Sequence, residues 1–122
     1  MNTLLWILQA LAASAFMYSG INKSLYSERK LVDSGQTGVE GLPIPLIRFI
    51  GIIEILGSAG LILPGILHIL PALTPISATG FCIIMVLAAR IHYRRKEPKN
   101  VLNNMILLGI GAFIAIGRVL VP

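Results

Sequence analysis

Three stretches of this chain carry no charged side chain: residues 1–22, 55–89 and 100–117. A fourth apolar stretch, residues 45–63, has Arg48 near its start and Glu54 in its middle. A helix needs about 20 mostly apolar residues to cross a bilayer. Lipid offers no hydrogen bonds, so a spanning segment must pair its own backbone groups, as a helix does. Composition points the same way: 56% of the residues are hydrophobic and 12% are charged. A soluble domain of 122 residues has too little interior to hide that much apolar surface. The expected fold is all-α: one polytopic membrane domain, a bundle of four transmembrane helices.

The spans are expected at 3–22, 45–63, 74–91 and 101–120. "AASA" in the first resembles a signal-peptide cleavage site, but no Lys or Arg precedes Lys23 and three further spans follow. Pro43 and Pro45 suit the start of the second span, and Pro64-Gly65 suits its end. Thr74-Pro75 reads as an N-cap followed by proline at the first helical position. "PGILHILP" is short enough to force an antiparallel hairpin between spans two and three. In the first link, "SLYSERKLVD" reads as a short surface helix with Leu25, Tyr26 and Val32 toward lipid, and "SGQTGVEGLP" as loop.

Charge sets the orientation. Lys23, Arg29, Lys30 and Arg48 flank the first link, and Arg90, Arg94, Arg95, Lys96 and Lys99 the third, so nine of the ten Lys and Arg fall on one side. The other side has Arg118 alone. The positive-inside rule places links 23–44 and 92–100 in the cytoplasm and both termini on the non-cytoplasmic side of a cell membrane, the inner membrane in a cell that has two. The net charge of +5 therefore points to anionic lipid headgroups, not to nucleic acid.

Glu54 stands out among the apolar residues. It lies about nine residues into its span, or roughly 13 Å at 1.5 Å per residue, near mid-membrane. A charge at that depth costs about 2.5–3.5 kcal/mol on insertion scales, so it faces the bundle interior. It reads as a proton carrier, a general acid or base, or a hydrogen-bond partner for a bound polar group; the alternative is a structural tie between helices. Gly51, Gly57 and Gly60 recur around it at multiples of three and are packing residues that let helices approach. Lys23 and Arg48 either snorkel to headgroups or turn inward toward Glu54 or a bound anion. Tyr18 offers a hydroxyl to the same pocket or belongs to the interfacial belt, where Trp6 and Tyr93 also fit. His92 and Asn103 share the cytoplasmic half with Glu54, and together these residues suggest a polar pocket opening to the cytoplasm. Glu54 and His92 are its candidate catalytic groups; Lys23, Arg48, Tyr18 and Asn103 are its candidate ligand-binding groups.

Other chemistries find no support. His92 and His68 fall on opposite sides of about 30 Å of bilayer and cannot ligate one haem. No His, Cys or carboxylate cluster has metal-ligand spacing. The single cysteine, Cys82, forms no internal redox pair and fits core packing.

Taken in order, these motifs resemble the DoxX-like membrane proteins over nearly the whole chain. The resemblance rests on "SGINK" with Gly20 and Lys23, and most of all on "RFIGIIEILGSAGLILP" with Arg48, Gly51, Glu54, Gly57, Gly60, Leu61 and Pro64. It continues through "LPALTP", Met85 and His92 to Gly117-Arg118. "RRKEPK" is more basic than is usual there. The resemblance implies four membrane helices and an association with quinone-linked oxidoreductases, including small subunits of a thiosulfate:quinone enzyme. It supplies no catalytic residue set.

The reading that follows is a membrane subunit that binds a quinone or another lipid-soluble molecule for an oxidoreductase partner. No cofactor is built into the chain, so electrons come from elsewhere. A proton-coupled transporter working as a homodimer is the second reading. Against it, small multidrug antiporters carry their glutamate in span one, and the nine-to-one charge bias disfavours antiparallel dimers. A non-catalytic scaffold and a small intramembrane acid–base enzyme complete the set.

Overall fold

The computed structural model describes residues 1–122 and is 84% helix with no strands. Four long helices, α1 (Asn2–Leu25), α3 (Ile44–Leu67), α4 (Leu73–Arg94) and α5 (Pro98–Leu120), are each long and apolar enough to cross a membrane. A short helix, α2 (Glu28–Asp33), and a 3-10 turn at Thr37–Val39 lie in the link between α1 and α3. The long helices form a closed ring in the order α1, α3, α4, α5 and back to α1. Only 22 of 122 residues are buried, and Leu, Ile and Phe side chains cover the outer surface. That surface is stable against lipid and untenable in water.

Small residues set the seams. A Cβ on Gly51 would lie 2.8 Å from the carbonyl oxygen of Gly20, so α1 and α3 touch backbone to backbone. A Cβ on Gly57 would lie 2.6 Å from Cζ of Phe81, whose ring points its tip at α3 and stacks its face on Phe16 of α1 at 3.7 Å between centroids. Gly60 faces Ser77 of α4. The three glycines around Glu54 thus serve two seams: Gly51 faces α1, while Gly57 and Gly60 face α4. Cys82 of α4 packs against Gly111 of α5. Phe16, Phe81, Leu61, Ile114 and the alanines between them form an apolar plug across the middle of the bundle.

The helices outrun the expected spans at several ends, and two boundary signals turn out to have different roles. Pro64 does not end α3; the helix continues to Leu67 and stops at His68, which adopts the left-handed conformation (φ 54°). Proline has no N–H to give the carbonyl of Gly60 four residues earlier. Thr74 Oγ1 donates to that carbonyl instead, at 3.1 Å. Thr74 is therefore not the N-cap of α4, which starts at Leu73 after Ala72. Pro75 is then the third residue of the helix, within the first turn, where a missing N–H costs nothing.

The first link also differs from expectation. Residues 24–25 continue α1, and α2 begins only at Glu28, with Ser27 as N-cap accepting the Lys30 N–H at 3.2 Å. Leu25, the last residue of α1, faces outward at 70% exposure, but the apolar side of α2 turns toward protein: Leu31 is buried with Val39 and Ile47, and Tyr26 and Val32 pack on them. "SGQTGVEGLP" is held in place as well. Glu28 accepts the Gly41 N–H at 2.7 Å, and Glu40 pairs with Arg95 at 3.0 Å. The link is thus pinned as a roof over one end of the bundle.

Candidate functional site

Below that roof lies a chamber of about 340 Å³, within the size range of small-molecule sites. Phe16, Ile50, Ile84, Met85, Ala88 and Leu107 supply apolar wall, and Gln36, Gly38, Val39 and Leu42 close it from the link side. Glu54 stands in this wall with 1% of its surface exposed. Lys23 Nζ lies 2.8 Å from its Oε1, and the Lys23 side chain is itself only 14% exposed. Ser19 Oγ lies 3.1 Å from the same oxygen and 3.3 Å from Gln36 Oε1. One hydroxyl carries one proton, so Ser19 donates to Glu54 or to Gln36, not to both at once. Both donors to Glu54 converge on Oε1, and no side chain bonds to Oε2.

Three features complete the polar lining. Asn104 donates through Nδ2 to the Met85 sulfur at 3.6 Å and leaves Oδ1 buried without a partner. Asn103 lines the chamber one residue earlier but is exposed. At the mouth, His92 Nδ1 lies 2.8 Å from Glu97 Oε1, with Arg95 Nε 3.3 Å from the same oxygen. The His92 hydrogen bond, aided by the Arg95 charge, holds the Glu97 carboxyl below the ordinary glutamate range. Gly38 of the roof sits against the His92 ring, where an added Cβ would lie 3.2 Å from Cε1.

The sequence model of the DoxX-like family matches residues 7–114, a stretch that contains every residue of this chamber. The chain belongs to the DoxX-like family. No curated protein and no solved structure matches it.

In this DoxX-like protein, four of the sequence candidates meet in one place: Glu54, Lys23, His92 and Asn103 all line the chamber. Two others go elsewhere. Arg48 turns away from Glu54, and its guanidinium donates to the carbonyls of Lys23 (2.7 Å) and Tyr26. It closes the C-terminus of α1, where carbonyls lack helical partners and favour a cation. Tyr18 does not offer its hydroxyl to the pocket; it is 69% exposed on the outer face of α1. Ser19, one residue and about 100° further round the helix, takes the inward position. Trp6 packs on Gly65, with the Arg118 guanidinium over its ring.

Sequence reasoning missed Ser19, Gln36 and Asn104. Ser19 sits four residues before Lys23, and such neighbours share a helix face, so that spacing was a usable signal. Gln36 was not reachable this way, because only the fold of the link brings it over Glu54.

Proposed function

We propose that this DoxX-like protein holds a lipid-soluble molecule with a polar, carbonyl- or hydroxyl-bearing head, of the quinone type, in the chamber beside Glu54, as a membrane subunit of an oxidoreductase system. The observation that carries this reading is the Lys23–Glu54 pair, buried at 2.8 Å in the wall of a largely apolar cavity. Apolar walls with a few convergent polar groups are what such a ligand needs. Lys23 has three N–H donors and Glu54 uses one, so the ammonium can also donate to a ligand oxygen. Glu54 Oε2, with no side-chain donor of its own, is left to accept from a hydroxyl.

The chamber lies at the end of the bundle that carries nine of the ten Lys and Arg. By the positive-inside rule it opens to the cytoplasm, where His92 and Glu97 form a proton path at its mouth. Electrons in this reading come from a partner protein. The apolar plug beneath the chamber favours a binding site over a pore.

The test is to purify the wild type, Glu54→Gln and the chamber-filling Ala88→Phe in mild detergent, verify that each is folded, and identify bound small molecules by mass spectrometry. A quinone-type compound is expected with the wild type and not with either variant. Bulk lipid alone in all three would overturn the reading.

A further inference from the structure

Where α3 faces α4, the Glu54 chamber is walled by Ile50 of α3 and by Ile84 and Leu87 of α4. Leu87 is also 55% exposed, so the chamber reaches the outside of the bundle here. Nearer their hairpin the same two helices touch: Thr74 donates to the Gly60 carbonyl, and Phe81 meets Gly57. The seam is shut beneath the chamber and lined with cavity beside it.

A second apolar hollow adjoins this point. A groove of about 240 Å³ lies on the outer face of the α3–α4 seam, between Ile53, Leu56 and Gly57 on α3 and Gly80, Phe81 and Ile84 on α4. Ile84 is a wall of both the chamber and the groove. On α3, Ile50 of the chamber and Ile53 and Gly57 of the groove follow at spacings of three and four, so they share one helix face. Ser77 stands at the far end of the groove, with its hydroxyl turned to Gly60. A Cβ on Gly80 would meet nothing within 4 Å, so the room that this glycine leaves is not filled by any other part of the chain. At 1.5 Å per residue, Ile84 lies roughly 9 Å and Gly80 roughly 15 Å deeper along α4 than Arg90. The groove is therefore at hydrocarbon depth.

We infer that the ligand of the Glu54 chamber carries a long apolar chain, which leaves the chamber past Ile50 and Ile84 and lies along the α3–α4 groove. On the reading that the chamber holds a lipid-soluble molecule, this narrows the ligand to a tailed lipid that enters from the bilayer. The chamber, at about 340 Å³, is near the small end of ligand sites, which run from about 300 to 1,000 Å³. It has room for a polar head and not for a long chain as well. Ser19 of α1 and Asn100 and Asn103 of α5 make the other side of the chamber a poorer exit, because a hydrocarbon chain offers their polar groups no hydrogen bond. The α3–α4 side offers apolar contact throughout and an open edge to lipid.

A chain gains little affinity by moving from lipid into a groove that is no more apolar than lipid. Its position, and not the strength of binding, is therefore the readout. The probe is a benzoquinone bearing a decyl chain with a photoreactive diazirine at its end, added to the full chain in phosphatidylcholine nanodiscs. After illumination, labelled residues are mapped by mass spectrometry, with and without an excess of the same quinone lacking the chain. Labelling is expected within residues 53–57 and 77–84, and the tail-less competitor should remove it. Gly80→Leu fills the groove and should remove most of it too. Gly109→Leu, on α5 and equally free of neighbours, should not. Competed labelling that falls outside the groove leaves the chamber reading intact and overturns the exit route. Groove labelling that the competitor leaves untouched means that the groove takes lipid chains by itself, and also overturns it, as does undiminished labelling in a folded Gly80→Leu. No competed labelling at any position overturns the chamber reading and the tailed ligand together. If Gly80→Leu does not fold, the competition in the wild type still decides.

Discussion

Lys23 and Glu54 form an ion pair at 2.8 Å across the α1–α3 seam, and both side chains are largely withdrawn from solvent. They lie one helix apart in the ring and 31 positions apart in sequence. The pair bonds the two helices directly and gives the chamber its only charged wall. Its stability consequences are measurable apart from any ligand.

Removing one member strands the other. Lys23→Met leaves the Glu54 carboxylate buried without its cation and should cost about 3–5 kcal/mol, as broken buried pairs do. Glu54→Gln should cost less, because the freed lysine is long enough to reach the headgroup region. The double variant Lys23→Met/Glu54→Gln should lose less than the sum of the single losses. A double-mutant cycle on unfolding in detergent measures this coupling; strictly additive losses would contradict a direct pair.

The Thr74 hydroxyl replaces the hydrogen bond that Pro64 cannot make to Gly60. Thr74→Val keeps the shape but leaves that carbonyl without a donor, at a cost of about 1–3 kcal/mol. Pro64→Ala restores the N–H at position 64. The pair Thr74→Val/Pro64→Ala should therefore be more stable than Thr74→Val alone, as read by thermal unfolding. No rescue would mean that Thr74 stabilises the hairpin in some other way.

The tip of the Phe81 ring fits against α3 only because position 57 lacks a side chain. Gly57→Ala should push the ring off its stack on Phe16 and cost about 1–3 kcal/mol, the usual range for overpacking. Phe81→Leu should recover part of that loss. Gly109→Ala is the control: an added Cβ there meets nothing within 4 Å, so no loss is expected. Equal losses at positions 57 and 109 would contradict the packing account, since Gly→Ala inside a helix otherwise stabilises by about 1 kcal/mol.

Glu97 pairs with the two residues that meet the roof, His92 against Gly38 and Arg95 bound to Glu40. Its carboxyl is held below the ordinary range, chiefly by the hydrogen bond from His92, so the bound form is the deprotonated one. A depressed folded-state pKa contributes stability above the unfolded value, about 4.3 for glutamate, and that contribution disappears as pH falls through the lower folded value. Limited proteolysis between residues 34 and 43 should accelerate below about pH 4 and be nearly unchanged from pH 6 to 8. Glu97→Gln should show the faster cleavage already at neutral pH. Cleavage independent of both pH and Glu97 would show that the roof is held by other contacts.

Much of this protein was legible without coordinates. Apolar runs of spanning length define helices, because lipid leaves the backbone no other partner. The buried carboxylate, the glycines around it and the one-sided cations follow from the residues alone. So did the grouping of Glu54, Lys23, His92 and Asn103 at one end, since depth in a span is a matter of counting residues. The tertiary structure decided direction around each helix axis and the partner found there. It put Ser19 inward and Tyr18 outward, turned Arg48 to the end of α1, and folded Gln36 over Glu54. It also kept Pro64 inside a helix, because Thr74 of the next helix supplies the donor that proline lacks. Finally, it closed α5 against α1, bringing Gln9 to Arg118 across 109 positions of sequence. A linear pattern fixes how deep a side chain lies. Which neighbour it meets depends on how four cylinders turn against one another, and that is settled by contacts between residues far apart in the chain.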